Sequence, residues 1–475
     1  MKYETVIGIE IHCELKTKTK MFSSAPVSVN MQPNTCVNEI DLGHPGTLPS
    51  LNKEAVRLSL MACMALNCEI DPLIKFDRKN YYYSDLPKGF QITQQFYPIG
   101  KNGYVDIPTD NGVKHIRINR LHMEEDTAKQ YHSGNETWID FNRAGTPLVE
   151  IVSEADIRSA HEAMIYVEKL RNMLVYLGVT DGKMEEGSLR CDINISLREF
   201  GAEEFGVKTE IKNLNSISNI EKAIQSEVIR QTELIESKQG VEQATRRYDD
   251  VQKTTILMRK KEGSIDYKYF PEPNIPPVLI ETDWLHLIRE NLPELPDHRE
   301  KRYMDLGLNA YDAGQLIQNK ALSDFFDQLI LETSYVKLAA NWCLSDILAN
   351  FTPKQLFEKS YRLKLSEMAL MIDALGKQEI SSKQAKELFV ELLKGAEYNA
   401  TIKSLNIEQV SDQSVLVQMV EDILNENEQS IIDYHNGKDR AVGFLMGQIM
   451  KKSKGQANPV ITNQLLLEGL MKRKP

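Results

Sequence analysis

The stretch TVIGIEIHCELK at 5–16 alternates apolar and polar residues without a break. A period of two sustained over that length points to a β-strand with one face in a core and the other face open. Ile7, Ile9, Ile11 and Leu15 make the core face; Glu10, His12, Glu14 and Lys16 make the other. The pattern returns in KHIRINRLHMEED at 114–126 and in MEEGSLRCDINIS at 184–196. In the latter, Leu189, Cys191, Ile193 and Ile195 form the apolar face, opposite Glu186, Ser188, Arg190, Asp192, Asn194 and Ser196. A solvated sheet surface usually mixes Lys, Thr and Glu. This row sets carboxylates, a guanidinium, a hydroxyl and an amide side by side, so the polar face is the place to look for chemistry.

Helical spacing interrupts the strands at 53–66, at 159–177 (Ser159 as N-cap, Gly178 as C-cap) and at 219–237. FPEPNIPP at 270–277 and NLPELPDHR at 291–299 are punctuated by proline, which fixes φ and removes a donor, so regular structure is not expected there. Beyond them the pattern is helical at 310–333, 335–350, 353–360 and 365–376, with a break around 399–406. The expected class is α+β: a β-rich domain over 1–292, an all-helical domain over 293–405 and a small helical tail domain over 406–475. A chain of 475 residues exceeds what one core normally serves, which agrees with several domains.

A net charge of −11 argues against binding a polyanion with the whole surface. A local patch exists at 438–475, with eight Lys/Arg against two Asp/Glu. No apolar run approaches the roughly 20 residues that span a bilayer, and MKYETVIGIE lacks an apolar leader core, so neither a membrane partner nor secretion is expected. The six cysteines lie scattered, with no C-x-x-C pair and no matching second pair for Cys63 and Cys68. Free thiols in a reducing cytoplasm are expected, and neither zinc nor a disulfide framework.

The acids are placed unusually. Glu10 and His12 share a strand face. Glu124 and Glu125 are neighbours and point to opposite faces unless a bulge redirects one. Glu150 sits inside TPLVEIV, where a carboxylate is costly unless paired, protonated or bound to a metal. Glu210 lies between Lys208 and Lys212. Several acids and a histidine on one sheet suit Mg²⁺, which takes carboxylates, waters and substrate phosphates. Lys75, Arg78, Lys79 and Lys88 flank a tyrosine-rich run, KFDRKNYYYSDLPKGFQ, whose cations suit phosphates and whose aromatics suit a purine. Bland readings stand beside this. Each acid taken alone is an ordinary surface group, His12 a satisfied strand histidine, Tyr81–Tyr83 sheet packing, and Glu150 a partner for Arg143. There is no G-x-x-x-x-G-K-[ST] loop, no G-x-G-x-x-G before a helix and no G-x-S-x-G, so pattern alone supports neither a P-loop nor a serine nucleophile.

Longer motifs are more specific. KFDRKNYYYSDLPKGFQITQ, RLHMEED, DFNRAGTPLVEIVSE, KMEEGSLRCDINIS, EIKNLNS, DYKYFPEP and the tail GFLMGQIMKKSKGQANP resemble the B subunits of bacterial aspartyl/glutamyl-tRNA amidotransferases, from the first strand to the last helix. The resemblance implies a three-subunit ligase with an amidase A partner that frees ammonia from glutamine and a small C partner. The B chain would bind mischarged Glu-tRNA(Gln) or Asp-tRNA(Asn). It would phosphorylate the side-chain carboxylate with ATP and Mg²⁺, and tunnelled ammonia would displace the phosphate. The N-terminal region would be a cradle like the glutamine synthetase and guanidino-kinase catalytic fold, with both helical domains contacting tRNA.

Carried over residue by residue, the resemblance implies Mg²⁺ on His12, Glu125 and Glu150, which are also the expected catalytic residues, and a second cation near Glu10, Glu124 and Glu210. Glu125 would also take the proton that ammonium must lose. Lys79, Ser188, Asp192 and Asn194 are expected to contact nucleotide or acyl phosphate. Ala128, Ala155 and Asn274 depart from the usual glycine, proline and acid, and none of them is an expected ligand. Two other readings compete: a non-catalytic tRNA-binding scaffold, and a stand-alone Mg²⁺-dependent carboxylate kinase or ligase.

Overall fold

The structure, a computed structural model, describes residues 2–27, 31–260, 266–405, 407, 413–438, 440–453 and 457–473. The chain divides into two compact units, Met1–Pro296 and Asp297–Pro475, and both sheet and helix are abundant, as an α+β chain requires.

The first unit is built on a nine-stranded sheet. Its strands in chain order are β1 (Tyr3–Glu14), β2 (Glu69–Ile70), β3 (Gly100–Thr109), β4 (Gly112–Glu125), β5 (Pro147–Ser153), β6 (Leu189–Glu199), β7 (Thr209–Leu214), β8 (Ala244–Asp249) and β9 (Thr254–Lys260). Their spatial order is β9-β8-β7-β6-β1-β5-β4-β3-β2. Neighbours are antiparallel except β7 and β8, which run parallel. A parallel pair needs a crossover, and helix α3 (Ile217–Glu236) supplies it. Ser216 caps α3 by accepting from Asn219 N.

One face of the sheet is dry. Ile7, Ile9 and Ile11 of β1 and Leu189, Cys191, Ile193 and Ile195 of β6 are buried against α1 (Lys53–Ala65), α2 (Ala160–Tyr176) and α3. Ser159 caps α2 and Gly178 follows it at φ 70°. The other face carries the polar set.

Strand β4 does not keep one phase. Ile116 and Ile118 point into the core, and so do Leu121 and Met123, three residues further on. A slip in register between Val152 and Ser153 of β5, whose partners are Arg120 and Ile118, absorbs the extra residue. The bulge turns His122 and Glu124 onto the polar face.

Several expected elements are corrected. Strand β6 begins at Leu189, so Glu186 and Ser188 lie in the preceding turn and not in the polar row. The helix expected at 310–333 is two, Ala310–Ile317 and Lys320–Leu329, because the Asn319 side chain accepts from Ala321 N and Leu322 N and starts a new helix. Proline does not keep 291–299 irregular: Pro296 opens the helix Pro296–Asp305, where its missing N–H costs nothing. Phe270–Pro271 pairs with Arg78 and Asp77 as a short strand. The expected break at 399–406 contains the helix Tyr398–Ser404, and Asn406 lies outside the described residues. The helix Ser382–Leu393 adds to the expected set, although its Ser381–Gln384 capping box stands in the sequence.

In the second unit one core runs from Tyr303 to Ile407 and another from Leu416 to Leu470. Among the described residues no helix is long and apolar enough to cross a membrane.

Candidate active site

Residues directly opposite each other in a sheet share a face. His12 is opposite Arg190 on β6 and Glu150 on β5, and Glu150 is opposite His122 on β4. Glu10 is opposite Asp192, one step along. Four strands thus converge on one polar patch. His12 Nε2 lies 3.3 Å from Glu150 Oε2, 3.4 Å from Glu124 Oε1 and 3.7 Å from Glu10 Oε1. His122 Nε2 lies 3.5 Å from Glu150 Oε2 and 3.8 Å from Glu124 Oε2. Two overlapping groups, Glu10–His12–Glu150 and His122–Glu124–Glu150, each bring their ligand atoms within 4.8 Å of one another.

Three carboxylates in so small a volume repel, and their protonation shows it. Burial and the charge of Glu150 raise the Glu124 carboxyl to about 7 against the pull of His12 and Lys79. Burial and Glu150 also raise Glu10. For Glu150 burial works upward, but His122, His12 and Arg120 outweigh it and hold it well below the usual carboxylate range. Burial would lower His12; its hydrogen bond to Glu150 and the charges of Glu124, Glu150 and Glu10 push it up to about 9. Burial leaves His122 at about 4, hence neutral, despite Glu150. Its Nδ1 is buried without a hydrogen-bond partner among the described residues.

The expected ligands sort differently from the sequence reading. Glu125 does not join His12 and Glu150. It follows Glu124 in a strand, so it points through to the other face, where it accepts from Ile92 N at 3.0 Å and pairs with Lys88. Glu124 takes its place in the cluster. Glu210 belongs to neither metal-capable group: it accepts from Thr245 Oγ1 at 2.9 Å and lies 3.3 Å from Lys212. The same Lys212 pairs with Asp192, which ties β7 to β6. Asn194 is opposite Gly8 and Glu210 on this face. Ser188 bonds within its own turn: Oγ is 2.5 Å from Asp181 Oδ1 and accepts from Lys183 N at 2.9 Å. Arg143 pairs with Asp126 at 3.6 Å and donates to the Thr127 and Ala128 carbonyls, not to Glu150.

Lys79 belongs to a separate three-stranded sheet with Phe90–Thr93 and Phe270–Pro271. Its Nζ lies 4.8 Å from the Tyr267 ring centre and 5.8 Å from that of Tyr81. Burial would lower its pKa, but Glu124, Tyr269 and Glu150 raise it, so the ammonium persists.

Sequence reasoning missed His122. The signal was the three-residue gap between Ile118 and Leu121, which shifts the phase and puts His122 on the face of Glu124. An oxygen-rich donor set with imidazole nitrogens, in which burial and mutual charge raise the Glu10 and Glu124 carboxyls, fits a divalent cation.

In the tail, Lys452 pairs with Asp422 at 2.9 Å and Glu426 at 3.6 Å, and Lys438 with Asp433 at 3.0 Å, so part of the basic patch is neutralised within the chain. Lys451 is exposed beside it. Lys454, Lys474 and Asp439 lie outside the described residues.

Comparison with known proteins agrees along the whole chain. Residues 5–286 match the family described as the GatB/GatE catalytic domain, and residues 324–470 match the GatB domain. The chain is 52% identical over 476 residues to the B subunit of the aspartyl/glutamyl-tRNA(Asn/Gln) amidotransferase of Bacillus pumilus, covering 100% of both chains. The counterpart from Bacillus velezensis is 51% identical over 476 residues and that from Lysinibacillus sphaericus 50% over 475, again with 100% of both chains covered.

Proposed function

The chain belongs to the family of aspartyl/glutamyl-tRNA(Asn/Gln) amidotransferase B subunits, and from that premise we propose that it activates the side-chain carboxylate of a mischarged tRNA with ATP and amidates it. The observation that carries the reading is the cluster of Glu10, His12, His122, Glu124 and Glu150 on the open face of the sheet, inside the stretch that matches a catalytic domain.

Direct attack of ammonia on a carboxylate fails because oxide is a poor leaving group. In the proposed sequence a carboxylate oxygen attacks the γ-phosphorus of ATP and ADP leaves. Ammonia then attacks the acyl carbon, inorganic phosphate departs, and Glu-tRNA(Gln) becomes Gln-tRNA(Gln), or Asp-tRNA(Asn) becomes Asn-tRNA(Asn). Magnesium, held by His12 and Glu150 with Glu10 or Glu124, would neutralise charge on the transferring phosphoryl group. Lys79 and the Asp192–Asn194 strand face would hold phosphate oxygens, a role supported by a Lys79 ammonium with no ion pair among the described residues. Ser188 supports the turn that feeds this strand. Glu125, behind the sheet and paired with Lys88, receives the proton as ammonium becomes ammonia.

The word subunit in the relatives' names supports companion chains; the amidase A and small C chains are our assignment, as are mischarged tRNA and a cytoplasmic site of action. We assign 1–292 to the cradle, with the glutamine synthetase and guanidino-kinase topology, 293–405 to a helical domain and 406–475 to a tRNA-contacting tail. Three separate hydrophobic cores support the division.

Reconstitution with both partners tests the reading, using Glu-tRNA(Gln) and Asp-tRNA(Asn) with either ammonium or glutamine as donor. ATP-dependent amidation of at least one tRNA is expected. Absence of ATP hydrolysis with both, or unchanged ADP formation after Glu150→Gln, overturns it.

A further inference from the structure

Arg120 stands on the site face of β4, opposite Val152 and one step from His122. It is half-buried, and its Nε is sealed from solvent with no hydrogen-bond partner among the described residues. Its guanidinium also makes no ion pair among those residues. Its neighbours around the cluster differ: Lys212 has Asp192 and Glu210, and Arg190 and Arg143 share Asp126. Lys79, on the separate three-stranded sheet, is like Arg120: it rests over tyrosine rings with no carboxylate within ion-pair distance among the described residues. The charges of both oppose the rise that burial gives the Tyr269 hydroxyl. Both also bear on Glu150.

Two cations without anions, at the rim of an acid cluster, are the complement of a polyanion. An acid cluster alone repels a triphosphate, and a bound cation offsets only part of that charge. A planar guanidinium fork matches phosphate oxygens, and an ammonium adds a point charge. The neighbouring rings favour a nucleotide over a lone carboxylate. Tyr81 and Tyr267 are 5.9 Å apart, Tyr267 and Tyr269 6.0 Å, and Tyr269 and Phe96 6.3 Å, so they form a continuous aromatic wall beside Lys79. We propose that Arg120, together with Lys79, forms the subsite for the triphosphate tail of ATP. The inference rests on the reading of this face as an ATP-dependent site and adds a residue to it.

The test uses the assembled three-subunit enzyme with ammonium as donor, comparing wild type with Arg120→Ala and Arg120→Lys. Loss of a charge-assisted contact should raise KM for ATP about tenfold or more in the alanine variant, less in the lysine variant, with KM for Glu-tRNA unchanged. Inorganic tripolyphosphate with Mg²⁺ should compete with ATP on wild type and weaken by a similar factor on Arg120→Ala. The guanidinium makes no ion pair among the described residues and acts on Glu150 only through its charge, so any fall in the unfolding midpoint should be confined to Arg120→Ala and absent from Arg120→Lys. An unchanged KM for ATP, an effect confined to Glu-tRNA, or a lowered midpoint in both variants overturns the proposal. A wild-type enzyme that shows no ATP dependence overturns the underlying reading instead, so the two failures are told apart.

Discussion

Glu124 and Glu125 are consecutive in the chain yet serve opposite faces of the sheet. The first lies 3.4 Å from His12 Nε2; the second accepts from Ile92 N at 3.0 Å and pairs with Lys88. Two carboxylates one peptide apart can thus divide a reaction between them. Glu124 lies within the metal-capable cluster. Glu125 is buried on the opposite face against Lys88.

That division predicts different lesions. Glu124→Gln should cut ADP formation with Glu-tRNA by about 100-fold or more, the scale on which metal-site changes act. Glu125→Gln should leave ADP formation largely intact and lower Gln-tRNA formation, because activation proceeds while ammonia arrives protonated. Parallel assays of ADP and Gln-tRNA decide it. Equal loss of both products in both variants contradicts the division.

His12 makes metal-free stability depend on pH. Its folded pKa of about 9 exceeds the ordinary value near 6.5. The folded state therefore holds the proton more tightly. The stability this contributes is fully present below pH 6.5 and is lost as pH rises toward 9. Glu14 and Glu124, raised to about 7 with burial the largest cause, shed their contribution below that, between about 4.5 and 7. Thermal unfolding of the catalytic unit should therefore weaken from pH 7 to 9. His12→Ala should flatten the fall, and so should saturating Mg²⁺, which replaces the lost proton's charge. A midpoint independent of pH across that window, with and without Mg²⁺, is the contrary result.

Periodicity alone identified the core face of β1, because Ile7, Ile9 and Ile11 recur every second residue and all three are buried. It also marked Glu10, His12 and Glu150 as residues a bland surface does not need. It did not tell which acids meet, since that depends on pairing between distant strands. His12 meets Glu150 through the register of two strands far apart in the chain, and Glu210, opposite Asn194 on the same face, is taken up by Thr245 and Lys212. Glu125 as a ligand rests on the resemblance; unbroken alternation through 114–126 hides the bulge that sets the phase, so it does not choose between Glu124 and Glu125. Asn319 misled in the opposite sense, since a polar residue inside an amphipathic stretch reads equally as surface or cap.

Ser188 tests whether a hydroxyl at the mouth of a polar strand is a ligand or a strut. Its oxygen is already bonded to Asp181 and to Lys183 N. Ser188→Ala should cost about 1 kcal/mol of stability, the usual net worth of a hydrogen bond, and leave KM for ATP unchanged. Denaturant unfolding and ATP kinetics on one preparation check both. A raised KM with unchanged stability returns Ser188 to the nucleotide.

The tail patch makes a finer prediction than its charge count suggests. A lysine already neutralised by its own chain releases few counterions when RNA arrives, whereas an unpaired one releases about one per phosphate contact. Lys452 is held by Asp422 and Glu426, while Lys451, its neighbour, makes no ion pair among the described residues. Lys451→Ala should therefore reduce the slope of log affinity for Glu-tRNA against log salt by about one. Lys452→Ala should change it less, and Asp422→Asn combined with Glu426→Gln, which frees Lys452, should steepen it. Affinities of the assembled enzyme over a salt series measure all three. Identical slopes throughout show the patch to be a solvated helix face that RNA does not touch.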